Sequence, residues 1–414
     1  MRWLLNALES LTQTTSKKMQ LLRETKSMRT PSKNNTAANA EKQKLQREPK
    51  EQPPELIEKT LRWGIASLGH LADDFVAALN VLPPGQHCIS SCLSAQRSQA
   101  YSFALKHNVP NVYTSFEQLA RCPHVDIVYI CPQGLRHCEL CHLMLNHDKH
   151  VLCEPPLAST ELRVAELGQK AQSRGLFLME GIWSRCLPAY HYLRRQITSK
   201  RLGNICMVYC TLGLHDQLLS KNLTTAGIQL ALWVYREVPT LVRVSNKLRD
   251  HKDVLAQVDL FFNRSRRARL ILSAEPQRKS TAHIYGTKDS ITLHDFHSPT
   301  QLSCQHTDVE FVSPQSNQRT HYLNRINMCY ELQQVRNCIH QGQPQSELFS
   351  HSESQLLAHL LNQVQELLGI SFEEIDAKLS VAQLPKAAQA LGLNQLGLTR
   401  KQVKRLQRMP SWIW

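Results

Sequence analysis

Lys149-His150-Val151-Leu152-Cys153-Glu154-Pro155-Pro156-Leu157 is a short apolar run that ends on an acid and two prolines. Proline cannot donate to a β ladder, so a strand through Val151, Leu152 and Cys153 has to stop at Glu154. In a doubly wound α/β sheet, ligands bind beyond the carboxyl ends of the strands, so the residues after Cys153 should face a cofactor and substrate crevice. The surrounding sequence reads as a dinucleotide domain. Downstream, Thr160 to Arg174 reads as a helix with Leu162, Ala165, Leu167 and Ala171 as its apolar positions.

Upstream, Leu61-Arg62-Trp63-Gly64-Ile65-Ala66 reads as a first strand, followed by Ser67-Leu68-Gly69-His70-Leu71-Ala72 and a helix-like run through Leu79. Strand, glycine turn and helix are the context that a G-x-G-x-x-G/A dinucleotide fingerprint requires. Ser67 stands at its first glycine, Gly69 at its second and Ala72 at its third, with Gly64 three residues before Ser67. The middle glycine matters most, because a bare α-carbon lets backbone approach a pyrophosphate at the helix N-terminus. Gly64, Ser67, Gly69, Leu71 and Ala72 are the candidate cofactor-binding residues here. A mere strand-to-helix turn is the competing reading.

The second strand, His87 to Leu93, should end near the adenine ribose, where an NAD protein normally offers an acid about 20 residues past the glycines. No Asp or Glu occurs between Asp74 and Glu117. Arg97, just beyond the strand, has a fork of donors suited to a 2′-phosphate, so NADP is the expected cofactor and an ordinary surface arginine the alternative. After a helix from Ser98 to His107 comes the buried-looking strand Val125 to Ile130, then Pro132-Gln133-Gly134-Leu135-Arg136-His137. Cys138-Glu139-Leu140-Cys141-His142 invites a zinc reading, but a structural zinc site commonly takes two such pairs and no second Cys pair follows. These cysteines read as small apolar helix residues, and no metal is expected.

Together these stretches resemble the Gfo/Idh/MocA oxidoreductase family, most closely its dimeric dihydrodiol dehydrogenase and NADP-dependent D-xylose dehydrogenase branch. That branch writes the 150s stretch as an apolar strand followed by Glu-Lys-Pro and tolerates serine at the first fingerprint glycine. The loop ending at His137 is similar to the family's Thr-Pro-Asn-x-x-His loop beside the nicotinamide, with Gly134 in the asparagine slot. An arginine expected of NADP-preferring relatives is Ala95 here, two residues before Arg97. Gly175 to Pro188 matches the branch almost residue for residue and keeps Glu180, Trp183, Arg185 and Pro188. Ile284 to Leu293 matches a Gly-Thr-Lys-Gly hairpin, with Asp289 in the second glycine slot.

The resemblance covers about 60 to 372. It implies an α/β chain with a Rossmann-type doubly wound parallel sheet over 61–182, then a domain over 183–372 with an open, mostly antiparallel sheet. It also implies cofactor contacts at Gln133, His137 and Glu154, substrate contacts at Trp183 and Arg185, a small-molecule diol or sugar as substrate, and a homodimer through the second sheet. For His137, orientation of a helix start is the first reading and cofactor contact the second.

Three positions depart from the family together. Its lysine, which touches the reacting hydroxyl, is Pro155. Its Asp-x-Gly-x-(Tyr/His) helix aligns on Gly227, so that the acid is Thr225 and the ring is Gln229. A positioned acid or base is worth about 10² to 10⁴ in rate. One reading is a catalytically silent relative that keeps shape, nucleotide and dimer face. The other is an active NAD(P)-dependent diol or sugar dehydrogenase whose proton relay has moved, with His137, Tyr190 and Lys221 as candidates.

Composition sets the outer limits. The 414 residues are 42% hydrophobic and carry a net charge of +15, enough for two ordinary domains. Residues 1–60 hold 12 Lys/Arg against 7 Asp/Glu, and 377–414 hold 7 against none, so the basicity lies mostly in the ends. This excludes a folded nucleic-acid surface and leaves basic ends that could take an acidic partner. A disordered leader over 1–60 and a basic tail over 373–414 are expected. No run of about 18 apolar residues argues for a membrane span. Thirteen scattered cysteines suit reduced thiols in a cytoplasmic protein. Nuclear and mitochondrial locations are the alternatives.

Overall fold

In the computed structural model of the chain, the described residues are 60–131, 136–213, 223–245, 254–273, 279–304 and 307–368. Gln133, Gly134, Lys221, the leader before Thr60 and the tail from 373 lie outside them.

The first sheet contains β1 (Leu61–Ala66), β2 (His87–Leu93), β3 (Asn111–Tyr113), β4 (Ile127–Ile130), β5 (His150–Cys153) and β6 (Leu178–Glu180). Its order is β3-β2-β1-β4-β5-β6, and every pair is parallel. Alternate strand residues feed opposite faces, as a period of two requires. Trp63, Ile65 and Tyr129 pack on α1 (His70–Leu79) and α2 (Arg97–His107). Val128, Ile130 and Val151 pack on α3 (Phe116–Ala120), α4 (His137–Asn146) and α5 (Glu161–Ser173). Thr160 caps α5 by accepting the Arg163 N–H at 3.3 Å, as an N-cap threonine should.

Register is what positions the site. Ala66 pairs with both Leu93 and Ile130, and Ile130 pairs with Cys153, so four strands end on one line. Ser67, Ser94, Cys131 and Glu154 follow them. Strand order reverses between β1 and β4, which is where a doubly wound sheet opens a crevice.

The second sheet contains β7 (Ile205–Gly213), β8 (Leu241–Ser245), β9 (Val254–Phe261), β10 (Arg267–Ser273), β11 (Thr281–Gly286), β12 (Ser290–His294), β13 (Gln301–Cys304) and β14 (Asp308–Glu310). Its order is β14-β13-β12-β11-β7-β10-β9-β8, antiparallel except for β7 beside β10. One face is apolar and packs on α7 (Leu223–Tyr235), where an added Cβ at Gly227 would lie 2.7 Å from Leu270. Across the other face runs the polar row Arg243, Asp259, Arg269, Tyr209, His283 and Thr292, each paired with the next. The hairpin between β11 and β12 docks on the chain before β7. A Cβ at Gly286 would sit 2.0 Å from the Leu202 carbonyl oxygen, so only glycine fits.

The chain then returns to the first sheet. Tight turns at Trp183–Cys186 and Arg325–Met328 flank this return, with α6 (Pro188–Thr198), α8 (Cys329–His340) and α9 (His351–Leu368). His351 on α9 places Nε2 2.9 Å from the Leu178 carbonyl, and the Leu178 N–H donates to Pro344 at 3.0 Å. Residues 325–368 therefore pack against both sheets. All thirteen cysteines are unpaired, and among the described residues no helix is long and apolar enough to cross a membrane.

Candidate active site

The turn after β1 keeps the backbone of the fingerprint. Ser67 has φ +89°, a conformation that glycine adopts freely and a side chain resists by about 1–2 kcal/mol. Cys131 holds the turn by directing its thiol to the Ser67 carbonyl at 3.3 Å. A Cβ at Gly69 would meet nothing within 4 Å, so the start of α1 is open to an approaching group. Ala72 is fully buried behind it, and Leu71 packs on the core. Gly64 sits inside β1 with Leu119 and Val125 about 3.1 Å from an added Cβ, so its smallness serves packing there. Arg97 is the exposed first residue of α2, its guanidinium 3.3 Å from the Tyr101 hydroxyl and 5.4 Å from that ring's centre.

At the end of β5, the Glu154 carboxylate is already engaged. The Tyr129 hydroxyl donates to it at 2.5 Å, and Arg325 forms an ion pair with the same oxygen. Arg325 also donates to the Tyr129 oxygen at 3.2 Å and lies 5.1 Å over the Trp183 ring. Its side chain is 4% exposed against 13% for Glu154, so the pair is screened little by solvent. The preceding segment is pinned to α1, where the Asp74 carboxylate accepts the N–H groups of His321 at 2.7 Å and Tyr322 at 3.0 Å. Asn324 at φ +56° turns the chain inward, its amide donating to the Ser298 carbonyl at 3.0 Å.

Glu331 sits next to this pair, fully buried, with neither carboxyl oxygen hydrogen-bonded among the described residues. Burial pushes its carboxyl well above the usual range; Glu154 adds to the shift and Arg325 opposes it. Burial thus favours the neutral, protonated form of Glu331 beside the charged Arg325. Tyr129, Arg325 and Glu331 gave no sequence signal, since a strand tyrosine, a loop arginine and a helix glutamate are each ordinary. Only the fold brings residues 129, 154, 325 and 331 together.

Arg185, expected at the substrate, is instead fully buried in a structural network. It donates to the Gln229 side chain at 2.7 Å, the Gln229 carbonyl at 2.8 Å and Glu353 at 3.0 Å, between the rings of Trp233 and Phe349. The Gln229 amide in turn donates to Ser184 and to the Tyr190 hydroxyl, both at 3.1 Å. Tyr190 donates onward to Phe296 at 2.8 Å and is fully buried, which pushes its phenol up. Neither Gln229 nor Tyr190 is placed to exchange a proton with a ligand. Thr225, one turn earlier on α7, is buried with its hydroxyl unpartnered among the described residues.

Pro155 is half-buried directly after Glu154, and the bond to Pro156 is cis. His137 starts α4 with Nδ1 2.9 Å from the Pro156 carbonyl. A carbonyl only accepts, so Nδ1 carries the proton. His137 thereby ties the start of α4 to the Pro155 loop.

A second buried acid titrates in an accessible range. Burial pushes Glu180 up to about 7, although the Leu157 N–H and Ser354 hydroxyl pull the other way. The native state then holds a proton that the unfolded chain releases, so this group's contribution to stability falls as pH rises from about 4.5 through 7. Relative to wild type, Glu180→Gln should gain on the order of 3 kcal/mol between pH 5 and 8. Glu331→Gln should shift in the same direction. Urea denaturation at the two pH values tests this; parallel pH dependence in wild type and Glu180→Gln would contradict it.

Comparison with known proteins agrees with this geometry. The profile described as "Oxidoreductase family, NAD-binding Rossmann fold" (GFO_IDH_MocA) matches residues 61–182. Trans-1,2-dihydrobenzene-1,2-diol dehydrogenase from Sus scrofa is 31% identical over 330 residues, 76% of this chain and 98% of that protein. The Homo sapiens protein of the same name is 31% identical over 329 residues, again 76% and 98%. Among solved structures, levoglucosan dehydrogenase in complex with NADH and levoglucosan superposes with a TM-score of 0.63 at 14% identity, covering 74% of this chain and 97% of that one. A probable dehydrogenase from Thermotoga maritima gives 0.61 at 18%, covering 76% and 99%. Identity over nearly the whole length of these relatives, carried on a β3-β2-β1-β4-β5-β6 parallel sheet, shows that the chain belongs to the Gfo/Idh/MocA oxidoreductase family.

Proposed function

We propose that this member of the family has lost, or greatly reduced, dehydrogenase chemistry while keeping a nucleotide-binding crevice selective for NADP. The observation that carries the reading is Pro155 at the end of β5, beside a Glu154 carboxylate held by Arg325 and Tyr129. Oxidising an alcohol sends a hydride to nicotinamide and requires the hydroxyl proton to leave at the same centre. Proline has no group to take it. The polar partners expected nearby are Thr225 and Gln229, and Gln229 is committed to Arg185, Ser184 and Tyr190.

The second reading keeps activity on a small diol or sugar, as the names of the curated relatives suggest, with the proton relayed elsewhere. His137 favours it by placing an imidazole against the Pro155–Pro156 loop. Unpaired thiols throughout support a reducing compartment such as the cytoplasm.

Wild-type protein should show no appreciable NADP-linked oxidation of trans-dihydrodiols or D-xylose. Pro155→Lys, which returns an ionisable group to the end of β5 and leaves the Gln229–Arg185 network intact, should restore measurable turnover. Robust wild-type turnover that is abolished by His137→Ala would establish the second reading instead.

Reduced-nicotinamide fluorescence should report tighter binding of NADPH than NADH, and Arg97→Ala should erase most of the difference. Equal affinities, or none, would remove the NADP assignment. A homodimer through the polar face of the second sheet is the expected assembly, and only monomer in sedimentation at micromolar concentration would exclude it.

A further inference from the structure

At the N-terminal end of α1, on the rim of the dinucleotide turn, His70, Asp73 and His321 bring one ligand atom each within 4.8 Å of one another. We propose that these three residues bind a divalent transition-metal ion of the zinc class.

The donor set is two imidazoles and a carboxylate, which suits zinc, cobalt or nickel better than magnesium or calcium. His70 and Asp73 are three residues apart on α1, and that spacing puts both on one helix face. His321 comes from a different part of the fold, and its backbone is fixed by the N–H donated to Asp74 at 2.7 Å. Two of the three donors are already at ligand spacing. His321 Nε2 lies 3.4 Å from Asp73 Oδ2. Zinc bonds of about 2.1 Å in a tetrahedron put neighbouring donors roughly 3.4 Å apart. The His70 and His321 rings have centroids 4.0 Å apart, so a rotation of exposed side chains completes the set without moving the backbone.

The other carboxylate oxygen of Asp73 has separate partners. Lys106 Nζ and His107 Nε2 both lie 2.7 Å from Oδ1. They orient the carboxylate in the way outer partners of a metal ligand do, leaving Oδ2 toward the His321 imidazole. Three protein ligands leave a fourth position for water, as in zinc sites that keep an exchangeable ligand. The ion would fasten the start of α1 to the 321 segment, whose continuation delivers Arg325 to Glu154. Sequence spacing could not reveal the site, because its ligands are separated by about 250 residues.

Calorimetric titration of the full-length protein with zinc chloride tests this, together with the visible absorption of the cobalt-loaded protein. One ion per chain should bind, raise the melting temperature and give cobalt bands without a strong thiolate charge-transfer absorption. His70→Gln and His321→Gln each alter an exposed side chain, and each should weaken binding at least tenfold while leaving the metal-free melting temperature unchanged. Absence of binding overturns the proposal. So does binding that survives both substitutions or carries a thiolate signature, which would place the ion on cysteines such as exposed Cys88 and Cys206.

Discussion

The ion pair between Arg325 and Glu154 joins the last third of the chain to the strand ends of the first sheet. Both side chains are largely withdrawn from water, so removing one partner would strand the other and cost about 3–5 kcal/mol. Three contacts offset part of that burial, while Arg325 Nε has no hydrogen-bond partner among the described residues. Tyr129 bonds both members, Trp183 lies under the guanidinium, and burial favours the neutral form of Glu331 beside them. The same contact occupies the carboxylate that begins the Pro155 loop.

A division of labour follows between residues that hold shape and residues that move protons. Asp74, Gly286, Arg185 and Glu353 each complete a buried contact between elements far apart in sequence. Such contacts preserve the fold whether or not a reaction occurs. The positions where the family resemblance places proton-handling groups hold a proline, a buried threonine and a glutamine whose amide is already engaged. Loss of chemistry with retention of architecture is physically consistent, because a proton relay contributes to rate and almost nothing to packing.

The fold was legible in the sequence because its signals are local. Val151 to Cys153 form a strand that ends before the prolines, Leu61 to Ala66 form the first strand, and the second sheet falls close to where its runs of apolar and β-branched residues lie. The site was legible only in part. Ser67, Gly69 and Ala72 take their places in the turn. Gly64 and Arg185 lie against packed neighbours, and a glycine near a turn or an arginine in a family motif says nothing about which way it faces. Burial decides that, and burial depends on partners such as Val125 or Glu353 that are remote in the chain. Arg325 was invisible for the same reason.

The central claim, that Arg325 and Glu154 lock the returning chain onto the strand ends, is tested most directly by a double-mutant cycle in urea with Arg325→Met and Glu154→Gln. A coupling energy of about 2 kcal/mol or more is predicted. Additive effects, with coupling below about 0.5 kcal/mol, would contradict the account.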